Sequence, residues 1–166
     1  MADSKFTDAI ALLKADHRKV EELFEKFEQA SSGKKQAIAE QICNELKIHA
    51  MIEEELFYPS LNGKIEEDTL SEAYVEHDGA KVLINDIMAG GPDDEFYDAK
   101  VKVLSEEIEH HVKEEEARSE GMFAQARETD VDLVALGEQM LVRKQELMAL
   151  AESEGLPAAV MTTISA

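Results

Sequence analysis

His49 and Glu53 stand four positions apart within residues 46–59, L-K-I-H-A-M-I-E-E-E-L-F-Y-P. Residues at i and i+4 share one face of a helix, with Cβ atoms about 5–6 Å apart. Ile38, Ile42 and Leu46 lead into that face, and Leu56 and Phe57 follow it. An imidazole and a carboxylate thus continue an apolar stripe. Burying a bare carboxylate costs several kcal/mol unless something neutralises it. A metal ion would do so. The pair recurs at His111 and Glu115, which extend the line Val101, Leu104 and Ile108. His110 and Glu114 have the same spacing, but their line runs through Val103 and Glu107. At about 100° per residue His110 points well away from His111. His111 and Glu115 are therefore the expected inward pair.

Two more histidines interrupt apolar stripes. His17 lies in the series Phe6, Ile10, Leu13, Val20, Phe24 and Phe27, and His77 in the series Ala73, Ala80, Ile84 and Ile87. A lone histidine on such a stripe is usually a core residue with a satisfied ring. Four of five histidines in this position, one per segment, form a ligand set: His17, His49, His77 and His111 with Glu53 and Glu115. Nitrogen and oxygen donors without thiolate suit iron, manganese or zinc. Six ligands are too many for one structural zinc and suit two metals. The carboxylates would bridge, and the histidines would fill terminal positions, more on one metal than on the other. Two ferrous ions together hold the two electrons that take O2 to the peroxide level.

The elements that must carry these residues read as helices. The first periodic segment covers about residues 5–30 and ends at Ser31, Ser32 and Gly33. The second covers about 34–57, with Pro59 and the Asn62-Gly63 pair as stop signals. The third is expected to begin at a capping box, Thr69 to Glu72, and to stop at Gly90, Gly91 and Pro92. The fourth starts near Asp93 or Asp94 and loosens at Gly121. The fifth runs from Thr129 and Asp132 to about 153, with Leu133, Leu136, Met140, Leu147 and Leu150 as its stripe and Val134, Leu141 and Met148 widening it. Gly155 and Pro157 end it, and the tail beyond is expected to be frayed or loosely docked. Cys43 beside the second stripe reads as a small packing residue.

The fold expected is all-α: an up-down-up-down four-helix bundle over residues 1–125, with an additional C-terminal helix and tail over 126–166. That helix would pack on the bundle or on a second copy as a homodimer. A net charge of −20 argues against nucleic acid or an anionic membrane as partner. No stretch of 18 apolar residues suggests a membrane span, and the first residues lack the apolar core of a signal peptide. A single cysteine allows no internal disulfide and fits a reducing, cytoplasmic setting. Glu-x-x-His, the spacing of ferritin-like di-iron bundles, occurs once, at Glu107–His110, on the outward face.

The ordered motifs D16-H17-R-K-V20, H49-A-M-I-E53-E-E-L-F-Y-P59, E76-H77-D and H110-H111-V-K-E-E115-E116 resemble the hemerythrin-like, or HHE cation-binding, domain over about residues 5–123. The resemblance implies a four-helix bundle holding two iron ions with an oxo or hydroxo bridge. It places His17, His49, Glu53, His77, His111 and Glu115 at ligand positions. Oxygen carriers of the family have a further histidine one turn before the His77 position, where this chain has Ala73. Solvent, Tyr74 or a shifted carboxylate would take that place. The functions implied are binding of O2, NO or peroxide for sensing, scavenging or transport. The alternative is an enzyme: peroxidase-like, NO-reducing, or donating iron for iron-sulfur cluster repair. Proteins of the repair group usually carry an N-terminal extension with cysteines that this chain lacks.

Overall fold

A computed structural model describes residues 6–165. The expected start of the first helix at Lys5 lies outside the described residues. Four long helices form the bundle: α1 (Ala9–Gln29), α2 (Ser32–Ile52), α4 (Glu67–Ala89) and α5 (Tyr97–Glu116). A turn of π-helix (Glu53–Phe57) and a short helix α3 (Tyr58–Leu61) extend α2. After α5 come a short helix α6 (Met122–Arg127) and the C-terminal helix α7 (Leu133–Ser153). Neighbours in the bundle are α1 with α2, α2 with α4, α4 with α5, and α5 with α1. No described helix is long and apolar enough to cross a membrane.

The stripes read from the sequence face inward. Ile10, Leu13, Val20, Phe24 and Phe27 of α1 are buried, as are Ala73, Ala80, Ile84 and Ile87 of α4. The core divides into two apolar clusters. One gathers Leu13, Ile52, Phe57, Tyr58 and Phe123 with residues of α7. The other gathers Val20, Leu46, Ile84 and Leu104. His17, His49, His77 and His111 occupy the levels between them on α1, α2, α4 and α5. Cys43 is buried in the second cluster, where burial pushes its thiol up to about 12.

Several helix ends differ from expectation. Pro59 does not stop the second segment. It sits at the start of α3, directly after the π-turn, and the chain turns only at Asn62 and Gly63, the latter at φ +72°. The box at Thr69 to Glu72 is not a cap, because α4 begins at Glu67. Thr69 instead accepts a hydrogen bond from Gln125. α5 starts at Tyr97, with Asp94 Oδ1 accepting from Phe96 N in the preceding turn. Asp132 does cap α7, accepting from Ala135 N at 3.0 Å.

α7 lies against α1 and α2. Gly137 makes this contact close: a Cβ there would come within 2.6 Å of Ala9 N. Leu136, Met140 and Leu147 are buried, but Val134 and Met148 remain exposed, so the stripe is narrower than its sequence suggests. The helix ends at Gly155, whose φ of +81° lets its N–H reach Leu150 O. The tail that follows is neither frayed nor loose. Asn85 pairs with both the N–H and the carbonyl of Ala159. The buried Asp78 carboxylate accepts from the backbone N–H groups of Thr162, Thr163 and Ile164 and from the Thr163 hydroxyl. These donors draw the Asp78 pKa far down against the opposing effect of burial.

Candidate metal centre

Each of the four inward histidines turns Nε2 to the bundle axis and Nδ1 to a carboxylate. The Nδ1 partners are Glu116 for His17 at 2.7 Å, Asp16 for His49 at 3.0 Å, Glu54 for His77 at 3.0 Å and Glu76 for His111 at 3.0 Å. An Nδ1–H that donates to a carboxylate leaves Nε2 as the free lone pair. This is the tautomer that metal-ligating histidines need, and the carboxylate also fixes the ring.

The inward atoms form two groups. His17 Nε2 and His49 Nε2 are 3.2 Å apart. His77 and His111 face each other, with ring centroids 4.9 Å apart. The two glutamates lie between the pairs. Glu53 Oε1 is 3.0 Å from His49 Nε2 and 3.3 Å from His77 Nε2. Glu115 Oε1 is 3.4 Å from His17 Nε2 and 3.2 Å from His111 Nε2. Each carboxylate therefore touches one imidazole of each pair. These spacings match ligand–ligand edges around an ion: with bonds of about 2.1 Å, octahedral edges are about 3.0 Å and tetrahedral edges about 3.4 Å. The imidazoles thus group two and two, His17 with His49 and His77 with His111.

The carboxylates themselves argue for cations. Glu53 is wholly buried and Glu115 nearly so, yet both oxygens of Glu53 and Oε1 of Glu115 lack a hydrogen bond of proper geometry. The nearby Nε2 atoms are within 3.4 Å but make no hydrogen bond to these oxygens. Orphaned buried carboxylate oxygens are costly, and a bound cation satisfies them. Protons on the imidazoles can do part of this work. Burial acts to lower the His49 pKa, but Glu53 and Asp16 outweigh it and raise it to about 10. His17 is raised by Glu115 and Glu116 against burial, and His111 is raised well above its usual value by Glu115 and Glu76. Burial acts to raise Glu115, and His111 and His17 hold it well below the usual range.

One inward polar group was missed in the sequence. The Tyr58 hydroxyl lies 3.0 Å from His77 Nε2 and 3.5 Å from His111 Nε2, and donates to Glu115 Oε2 at 3.2 Å. On an α-helical register Tyr58 falls about 140° from Glu53. The π-turn reduces that offset: the Tyr58 N–H bonds to Glu53 O, five residues back. Such bulges are common at functional sites. Tyr74, the sequence candidate for the place beside Ala73, stacks edge-on against Tyr58 instead, with centroids 5.2 Å apart. Burial, then the charges of Glu115 and Glu53, hold the Tyr58 phenol well above its usual pKa.

The supporting carboxylates were also missed as a set, although each adjoins an inward residue in sequence: Asp16, Glu54, Glu76 and Glu116. The C-terminal region anchors two of them. Lys144 of α7 pairs with Asp16. Thr162 Oγ1 donates to Glu54 Oε1 at 2.5 Å, and Lys81 pairs with Glu54 at 2.9 Å. His110 points outward, with its side chain 67% exposed, and meets Glu114 and Glu76 there.

Comparison with known proteins bears on the family and the fold. The hemerythrin HHE cation binding domain family matches residues 8–123. A curated relative named DNA nickase, from Nostoc sp. (strain PCC 7120 / SAG 25.82 / UTEX 2576), is 32% identical over 107 residues, 64% of this chain. The match spans only 30% of that relative's own length. The crystal structure of a hemerythrin HHE cation binding domain-containing protein from Mycobacterium kansasii superposes with a TM-score of 0.73 over 92% of this chain and 96% of that one. At 22% identity that likeness carries the fold alone. The family match covers well over half of the sequence. The chain belongs to the hemerythrin HHE cation-binding domain family.

Proposed function

We propose that this protein is a non-haem di-iron protein that binds O2, NO or peroxide. The observation that carries the reading is the placement of Glu53 and Glu115, each within 3.4 Å of one imidazole from both histidine pairs. That is where bridging carboxylates belong. His17 and His49 would hold one ion, and His77, His111 and Tyr58 the other. The donor set of imidazole, carboxylate and phenol without thiolate favours iron or manganese. Two bound ferrous ions would supply the two electrons that reduce O2 to the peroxide level.

The chain's own residues would do the rest. Nδ1–carboxylate pairs keep each imidazole in its ligating tautomer. The apolar clusters above and below exclude water and charged solutes. The Tyr58 hydroxyl donates to Glu115, so it can hold or pass a proton at the edge of the centre. A phenol beside His77, His111 and Glu115 favours a second reading, an enzyme that turns over peroxide or NO. A net charge of −20 opposes the DNA binding that the name of the Nostoc relative implies.

Anaerobic reconstitution with ferrous iron, followed by air, tests the reading. Near-ultraviolet charge-transfer bands are the expected result. Bands that disappear when O2 is removed indicate a carrier or sensor, and turnover of added peroxide indicates the enzyme. A protein that takes up no iron contradicts both.

A further inference from the structure

A cavity of about 300 Å³ is lined by His17, His49, His77 and His111 and, from the tail, by residues 157–160 and Thr162. Its walls are apolar: Val20, Leu46, Ala80, Ile84, Ile108 and Val112. This is far more room than a diatomic or a peroxide needs, since a cavity of about 150 Å³ already holds benzene. It reaches the lower end of the range for small-molecule sites, about 300–1,000 Å³. Walls of this kind give water few partners and give a hydrocarbon many.

Lys47 breaks the apolar lining. It is 5% exposed, and its Nζ donates to the Pro157 carbonyl at 2.9 Å. An ammonium carries three protons, and among the described residues Lys47 has no carboxylate partner. The other charges bordering the cavity are paired. Lys81 meets Glu54 and Asp78, Asp16 meets Lys144 and His49, and Glu55 meets Arg143. A buried cation without a counter-ion, at the edge of an apolar chamber, is complementary to an amphipathic anion.

We propose that the chamber binds a medium-chain monocarboxylate, with its carboxylate on Lys47 and its hydrocarbon chain among Val20, Ile84 and Ile108. The carboxylate replaces the Pro157 carbonyl as the partner of Lys47. Pro157 lies in irregular backbone, held through Asn85 and Asp78 further along the tail. It can therefore yield without breaking a helix. The proposal does not depend on which metal the centre holds, and it places an organic molecule beside the imidazoles.

Isothermal titration of the purified protein with octanoate, 1-octanol and acetate tests it. One octanoate per chain is expected, with 1-octanol at least tenfold weaker and acetate without measurable binding. Lys47→Met should bring octanoate down to the level of 1-octanol. Ile84→Trp, which fills the chamber, should abolish binding of both. Should that variant misfold, nuclear Overhauser contacts from octanoate methylenes to the Ile84 and Ile108 methyl groups in the unaltered protein decide the same point. Absence of octanoate binding, equal binding of 1-octanol, acetate binding as tight as octanoate, or an unchanged octanoate affinity in Lys47→Met overturns the proposal. Octanoate binding by a protein that takes up no iron would uphold it while refuting the metal reading.

Discussion

The Tyr58 hydroxyl stands 3.0 Å from His77 Nε2, within the group of inward atoms formed by Glu53, His77 and His111. A phenol on that side and none on the other makes the two halves of the centre chemically unequal, although each has two imidazoles. Tyr58→Phe keeps the ring packing and removes only the oxygen. It is expected to leave iron content unchanged and to remove a phenolate-to-iron band from the visible spectrum of the oxidised protein. An identical spectrum would exclude Tyr58 as a ligand.

Glu53→Ala and Glu115→Ala each remove an atom shared by both histidine pairs. Iron should fall to one per chain or fewer in either variant, measured by elemental analysis. His110→Ala should leave it unchanged, because that ring is on the surface. Loss of iron in His110→Ala and not in His111→Ala would reverse the assignment on α5.

Removing a support should weaken binding without abolishing it. Asp16→Asn and Glu76→Gln keep the shape of the side chain and lose the charge that orients His49 or His111. Losses of about 10–100-fold in metal affinity are expected by competition with a chelator. Lys144→Met should act in the same direction as Asp16→Asn but more weakly, since Asp16 would remain.

The pH dependence should reverse on metal loading. In the metal-free protein, the His49 pKa is raised from 6.5 to about 10, and those of His17 and His111 are also raised. Their contribution to stability is complete below about pH 6.5 and is lost as pH rises through the folded values. Glu115 is depressed below 4.5, so its contribution is present above that pH and lost on acidification. Metal-free stability should thus peak between about pH 4.5 and 6.5. Metal must displace the histidine protons, so affinity should rise with pH and binding should release protons. Thermal melts with and without metal from pH 5 to 9 check both slopes.

α7 should be sensitive at its closest approach. Gly137→Val places a Cβ against the Ala9 backbone and has no flexible neighbour to displace. Destabilisation of about 1–3 kcal/mol is expected, read as a lower midpoint in urea.

The six inward side chains were legible because burial of His and Glu at helical spacing is costly and therefore informative. The choice of His111 over His110 followed from register alone, and the structure places the first at 5% exposure and the second on the surface. Tyr58 was not legible, since extrapolating 100° per residue past Glu53 turns it away, and a π-turn has no reliable sequence sign. Pro59 misled for a related reason: it sits just after the π-turn, so it marked a local change of winding and not an end. The docked tail was hidden because its contacts are backbone N–H groups meeting Asp78. A carboxylate on α4 gives no local hint of a partner more than eighty residues away.

The central claim is that Glu53 and Glu115 hold two cations between the histidine pairs. The direct test is a crystal structure of protein loaded with ferrous iron, with anomalous differences measured on both sides of the iron edge. Two peaks are predicted, one between His17 and His49 and one between His77 and His111, each within coordination distance of both glutamates. A single peak, or none within reach of those glutamates, would contradict the account.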